Sequence, residues 1–177
     1  MQSGSDSIAT YIRAKDGNLP HLMRSAFAED ATLETVVNST AISFPPITKG
    51  VVSITDVLVT RFGETFEYVH TFCLGEPPTP VDAVFSCAWL VGMSERQSGT
   101  VRVGCGRYDW SFQSGGRRLV NRLKITVEHM QVLPAGQFTV VMNWLSELPY
   151  PWCAGREAKR AAPQLDGLAP IVTYLGR

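Results

Sequence analysis

The chain has only four cysteines, Cys73, Cys87, Cys105 and Cys153, and no two are spaced as CxxC. That spacing argues against a zinc site or a disulfide framework, so the thiols read as free and no metal is expected. Net charge is lacking too: Lys+Arg and Asp+Glu number 16 each. A balanced chain has no broad electrostatic footprint for nucleic acid or an anionic membrane. Arg117–Arg118 and the Arg156–Arg160 stretch are short enough to be solvated surface. No apolar run approaches the roughly 20 residues that cross a bilayer. The opening "MQSGSDSIAT" has no basic segment followed by an apolar one, so no secretory leader is read and a cytoplasmic location is expected. No GxGxxG, P-loop, HExxH or GxSxG motif occurs, which leaves no support for nucleotide, zinc-protease or serine-hydrolase chemistry and no cofactor to expect.

What is present fits one globular body. The 177 residues are 45% hydrophobic, enough for a sizeable core. Asp6–Asp16 reads as a helix with Ile8, Tyr11, Ile12 and Lys15 on one face, capped by Ser5 or Ser7. Asn18 caps a short second helix that buries Leu22, Met23, Ala26 and Phe27. "TLETVVN" is a strand by its β-branched content. "SFPPITKG" reads as a loop, because adjacent prolines cannot donate to a ladder. Val51–Phe62 is a third helix. Four strands follow, Thr65–Leu74, Ala83–Met93, Val101–Gln113 and Leu119–Leu133, joined by short polar turns as an antiparallel meander. Helices first and strands after is an α+β order.

The last 40 or so residues differ from the rest. Phe138, Val141, Met142, Leu145 and Leu148 have helical spacing, with a strand as the alternative because of Val140 and Val141. "LPYPWC" is an extended arm. From Ala154 the tail is polar and proline-bearing and reads as partly disordered, with "IVTYL" able to dock on the body. The domain reading is a cone domain over residues 5–133 and a C-terminal extension over 134–177, packed on the domain or on a partner subunit.

Three stretches, "YIRAKDGNLPHLMRSAFAEDATLE", "TKGVVSITDVLVTRF" and "GRYDWSFQSGGRRLVNRLKITVEHM", resemble the nuclear transport factor 2-like superfamily. More narrowly they resemble its SnoaL-like branch of polyketide cyclases, ketosteroid isomerases and dehydratases. The resemblance implies a strongly bent sheet wrapped around the helices as a cone, open at one end for a small, mostly apolar ligand. It implies that Tyr11 stands where ketosteroid isomerases carry a pocket tyrosine, a phenol able to donate to an oxyanion. It also implies that Thr35 stands where those enzymes carry their carboxylate base, and threonine cannot take a proton at neutral pH. Fold of this kind hosts enzymes and non-enzymes alike.

Strand parity distributes the other candidates. Neighbours on a strand face opposite ways, so Thr35 inward sends Glu34 outward. A turn symmetric about Arg96 pairs Cys87 with Cys105 and Val84 with Tyr108. One face then carries Phe85, Cys87, Trp89, Val103, Cys105, Arg107 and Asp109. The other carries Val84, Ser86, Ala88, Tyr108, Trp110 and Phe112, and the large aromatics opposite small residues suit the tapering interior. A one-residue slip would bring Asp109 in as a general base. On the last meander strand, Asn121 and His129 fall on the apolar set with Leu123, Ile125 and Val127, and Asn121 is the better pocket group. His70 shares a face with Tyr68, Phe72 and Leu74. Histidine is the natural acid–base group near pH 7, and the superfamily's dehydratases resemble this pairing of histidine with tyrosine.

The expected function is therefore binding of a small hydrophobic molecule by Thr35, Tyr108, Trp110 and Asn121. Tyr11 and His70 are the candidates for cofactor-independent dehydration, cyclisation or isomerisation. The alternatives are ligand binding without chemistry, or a dimeric interaction module. A homodimer is expected through the outer sheet face, where Phe85, Cys87, Trp89, Val103 and Cys105 are too apolar to stay wet.

Overall fold

A computed structural model describes residues 1–177. The helix α1, Gly4–Asp16, begins one turn earlier than its apolar face requires because Ser3 is the cap: its hydroxyl accepts from the Asp6 N–H and the Asp6 side chain binds back to Ser3. A short 3₁₀ turn, Pro20–Ser25, follows, and then β1, Phe27–Val37, and β2, Ile47–Lys49. The β2 strand falls inside the proline-containing stretch read as a loop, but after both prolines, where N–H donors return. The third helical segment runs as α2, Val51–Thr55, a π-helical stretch Asp56–Thr60, and α3, Arg61–Thr65. The meander is β3, Phe66–Leu74, β4, Val84–Glu95, β5, Val101–Phe112, and β6, Val120–Leu133. No helix is long and apolar enough to cross a membrane.

The fold is α+β. Seven strands form one curled, unclosed sheet in the order β2-β1-β6-β5-β4-β3-β7, where β7 is Trp152–Cys153. The meander pairs are antiparallel, and β1 joins β6 in parallel. The concave face wraps α1, α2 and α3 around a core that includes Ile8, Tyr11, Ile12, Leu33, Leu58, Trp89, Tyr108, Trp110, Leu123 and Ile125.

The convex face carries a second core. The helix α4, Phe138–Ser146, packs there with α5, Gly155–Ala161, and α6, Ala169–Leu175. Val141, Leu145, Ala158, Leu168 and Ile171 are fully buried against Leu90, Val101, Val103 and Cys105. The polar tail is therefore helical and seated, not disordered. Its apolar residues are sparse, yet Ala158, Leu168, Ile171 and Leu175 all land on the sheet. Gly92 makes room for α4: a Cβ there would stand 2.1 Å from Leu145 Cδ1.

The hairpin between β4 and β5 differs from the symmetric turn about Arg96. It is closed by the Glu95 N–H on the Thr100 carbonyl at 2.9 Å, and Gly99 takes φ +71° to complete the Arg96–Gly99 loop. Cys87 consequently pairs with Tyr108, and Cys105 with Leu90. The displacement is an odd number of residues, so β5 keeps its expected faces while β4 inverts. Phe85, Cys87 and Trp89 turn toward the concave core; Val103 and Cys105 stay outside, beneath the C-terminal helices. The outer apolar surface on which pairing with a second subunit was expected is thus covered by the chain's own extension.

Candidate functional site

A cavity of about 30 Å³ lies inside the cone, on the order of the room for one or two waters. Twelve of its fourteen lining residues are hydrophobic. Tyr11 and Lys15 come from α1, one helical turn apart. Thr35 comes from β1, Trp89 from β4 and Tyr108 from β5. Leu58 and Phe62 form a helical wall, and Ile42 and Phe44 close the mouth from the segment between β1 and β2.

The polar groups on this wall are short of partners. The Tyr11 hydroxyl, Thr35 Oγ1 and Trp89 Nε1 are buried with no protein hydrogen bond. Such atoms are few in native proteins and call for an explanation. Burial pushes the Tyr11 phenol well up from its ordinary range; the neighbouring Tyr108 phenol opposes this, although the two hydroxyls do not meet in hydrogen-bond geometry. Burial and the neighbouring Tyr11 push Tyr108 up as well. Both phenols are therefore held as neutral donors.

Lys15 is the ionisable side chain on the wall besides those phenols. Its Nζ donates to Thr71 Oγ1 at 2.9 Å and sits 4.4 Å from the centre of the Phe62 ring. Thr71 Oγ1 in turn donates to Asp16 Oδ1 at 2.7 Å. Asp16 also accepts from the Thr71 N–H at 2.7 Å and from the Tyr150 hydroxyl at 2.8 Å. Lys15 Nζ and Asp16 Oδ1 are 3.9 Å apart, both nearly buried. Burial pulls the Lys15 amine down, with Asp16 opposing. Burial pushes the Asp16 carboxyl up, with Lys15, Thr71 and Tyr150 opposing. Sequence reasoning placed Lys15 on the helix face with Ile8, Tyr11 and Ile12. A charged residue in that apolar stripe was the available signal for this pair.

The structure brings together Tyr11, Thr35 and Tyr108, and it separates the other expected site residues. Trp110 is buried behind Tyr11, ring centres 5.6 Å apart, and does not reach the cavity. His70 lies on the convex side with Phe72 and Leu74, its Nδ1 3.1 Å from the Tyr68 carbonyl oxygen. Apolarity pointed the wrong way here, because the inward residues of β3 include the polar Thr71, and the outward Phe72 is buried by the C-terminal helices. Asn121 sits on the exposed surface. A bulge there leaves Val120 opposite Phe112 and Arg122 opposite Ser111, so Asn121 drops out of the inward set. A second bulge at Glu128 turns His129 outward to Tyr174, ring centres 6.3 Å apart.

Neither expected alternative carboxylate enters. Glu34 points out and pairs with Arg122 at 2.8 Å, and that hydrogen bond holds it below its usual range. Asp109 also points out. Partial burial pushes it up, but hydrogen bonds from Ser86 and Arg107 outweigh that and leave it low. No cluster of His, Cys, Asp and Glu assembles that would hold a metal.

Comparison with known proteins bears on the fold. No family model matches the chain, and no curated protein matches it. Solved structures do. A nuclear transport factor 2-like superfamily protein from Salmonella enterica serovar Typhimurium superposes with TM-score 0.55 at 18% identity, over 71% of this chain and 88% of that one. The chain has a nuclear transport factor 2-like fold. A type 2 hexachlorocyclohexane dehydrochlorinase shares that fold at TM-score 0.57 and 11% identity, over 72% of this chain and 84% of that one. An epoxide hydrolase of the M. tuberculosis LEH-like kind does so at 0.53 and 8%, over 70% and 81%. Cyclase-like and isomerase-like proteins appear among the similar structures as well. At these identities the likeness is one of fold.

Proposed function

We propose that the nuclear transport factor 2-like cone of this chain binds a small, uncharged, mainly apolar molecule that carries a hydrogen-bond acceptor such as a carbonyl oxygen. The observation that carries this reading is the convergence of Tyr11 OH, Thr35 Oγ1 and Trp89 Nε1, all unpartnered, on one apolar cavity. All three can donate, and the indole can only donate. A ligand oxygen would satisfy what the protein does not. A ligand anion suits the site less, since the Lys15 charge already faces Asp16.

Ligand entry involves the segment over the mouth. Its ends are fixed: the Asn38 N–H binds the Val127 carbonyl, and the Pro46 carbonyl takes the Thr35 N–H, both at 2.9 Å. Between them no backbone hydrogen bond ties the segment to the body; Ile42 and Phe44 hold it by their side chains. Displacing those two side chains enlarges the cavity without breaking the sheet. That the similar structures include a dehydrochlorinase and an epoxide hydrolase supports a small-molecule role. Dehydration or isomerisation driven by His70 loses its geometric basis, because His70 is outside the cone.

The small volume favours a second reading, a closed cone that serves as an interaction module. Titration with cyclopentanone and with cyclopentane separates the two, followed by the melting temperature and by tryptophan fluorescence. The proposal expects the ketone to stabilise the protein more than the hydrocarbon, with the difference lost in Thr35→Val combined with Trp89→Phe. No response to the ketone, or equal response to both, would count against it and for the interaction module.

A further inference from the structure

We propose that Lys15 is a reactive amine that captures the carbonyl carbon of a small aldehyde or ketone inside the cone as a Schiff base. This rests on the carbonyl-binding reading above and adds a covalent step to it. The geometry is a drawn hydrogen-bond chain: Lys15 Nζ to Thr71 Oγ1 at 2.9 Å, then Thr71 Oγ1 to Asp16 Oδ1 at 2.7 Å. Its first member lines the same cavity as the three unpartnered donors.

The chain of donors accounts for every proton. Lys15 ammonium gives a proton to Thr71 Oγ1 as the Thr71 proton passes to Asp16, leaving a neutral amine and a neutral acid. The amine lone pair attacks the carbonyl carbon, the C=O pair moves to oxygen, and an N–H proton transfers to that oxygen to give a carbinolamine. The C–O bond then breaks, the hydroxyl takes the proton back from Asp16, and water leaves. The product is a protonated C=N beside an ionised Asp16, so the charge of the site is the same before and after. Tyr11 and Thr35 hydroxyls and the Trp89 N–H are the groups available to hold the oxygen while it carries negative charge.

Burial supplies the driving force at the amine. Both partners of the pair are displaced toward their neutral forms, Lys15 down and Asp16 up. The other titratable groups near them are the Tyr11 and Tyr108 phenols and the Cys73 thiol, all kept neutral by burial, and Tyr150, which donates to Asp16. Lowering an amine raises the share of its nucleophilic form near neutral pH. Tyr150 stands just before β7, so the C-terminal extension helps to set the state of the cone's amine.

The test is reductive trapping. The full chain is incubated with cyclopentanone and cyanoborohydride, and the cyclopentyl adduct is located by peptide mass mapping. The other amines are Lys49, Lys124, Lys159 and the N-terminus. The expected result is labelling of Lys15 several-fold faster than any exposed lysine, a preference lost when the protein is unfolded in urea. Thr71→Val, which keeps the lysine and breaks the proton path, should slow the labelling while the protein stays folded. Labelling of Lys15 no faster than Lys124 would overturn the proposal. If cyclopentanone raises the melting temperature and yet Lys15 is unlabelled, the covalent step fails and the binding reading stands. If neither occurs, both fail.

Discussion

The two faces of the curled sheet are finished differently. On the convex face two aromatic donors buried with the C-terminal helices have partners, Trp144 Nε1 on the Ala158 carbonyl at 3.0 Å and the Tyr174 hydroxyl on the Gly106 carbonyl at 2.8 Å, while Gln137 Oε1 just before α4 has none. On the concave face Tyr11, Thr35 and Trp89 carry the same kinds of atom with none. Residue types are alike on the two sides, so the contrast is not one of composition. The outer face is completed by the chain's own extension and should serve stability. The inner face keeps donors in reserve, at some cost in stability, which is the pattern expected where binding is selected.

The largest effect should come from breaking the finished side. Trp144→Ala removes a buried indole and its hydrogen bond, and should cost about 3–5 kcal/mol in a denaturant titration. A small change would mean that α4, α5 and α6 are only loosely attached. Next comes the pair at the cone's edge. Lys15→Met leaves Asp16 buried beside an apolar chain, and should cost about 3 kcal/mol near neutral pH, since Thr71 and Tyr150 still donate to the carboxylate. The sign with pH follows from linkage. Asp16 is held above its ordinary value of 3.8, and losing Lys15 raises it further. The folded state then binds more protons than the unfolded one, so the variant's stability falls as pH rises through that window and recovers in acid. A loss that grew toward acid would contradict a buried, partner-dependent Asp16. Smaller again is Phe44→Ala. Phe44 is half-buried at the mouth, so about 1–2 kcal/mol is expected, together with faster cyclopentanone binding by stopped-flow fluorescence.

Legibility in the sequence followed the same division. Element order, the α+β class and the inward path of Tyr108 and Phe112 could be read because β5 alternates and faces a single apolar core. The failures arose where both faces are buried. His70 and Phe72 share a face that looks apolar because α4 and its neighbours cover it, and that cover comes from sequence more than 60 residues away. Period-two patterning cannot tell two buried faces apart. Asn121 and His129 failed for a local reason: bulges at Asn121 and Glu128 each shift parity by one, and no residue type marks them. Trp89 followed the hairpin loop, whose length depended on Gly99 taking a left-handed conformation. Gly106 borders the second of these bulges, where a Cβ would lie 1.9 Å from the Thr126 carbonyl oxygen.

The sharpest form of the comparison uses one substitution twice. Tyr174→Phe on the convex face removes a hydroxyl that donates to the Gly106 carbonyl, leaving that acceptor without its side-chain donor. It should cost about 1 kcal/mol, the net worth of a typical protein hydrogen bond. Tyr11→Phe on the concave face removes a hydroxyl that has no protein partner and is fully buried. The ring contacts with Phe27, Tyr108 and Trp110 remain, at centre distances of 5.7, 6.2 and 5.6 Å. Removing an unsatisfied buried polar atom relieves a desolvation penalty, so Tyr11→Phe should be neutral or stabilising by up to about 1 kcal/mol. Both are measured by urea unfolding of the ligand-free protein, and the two changes should differ in sign or nearly so. Added cyclopentanone should reverse the order for Tyr11 alone, because the wild-type phenol then gains an acceptor that phenylalanine cannot use. Equal losses at the two positions would show that Tyr11 is an ordinary structural tyrosine, and the asymmetry between the faces would lose its functional meaning.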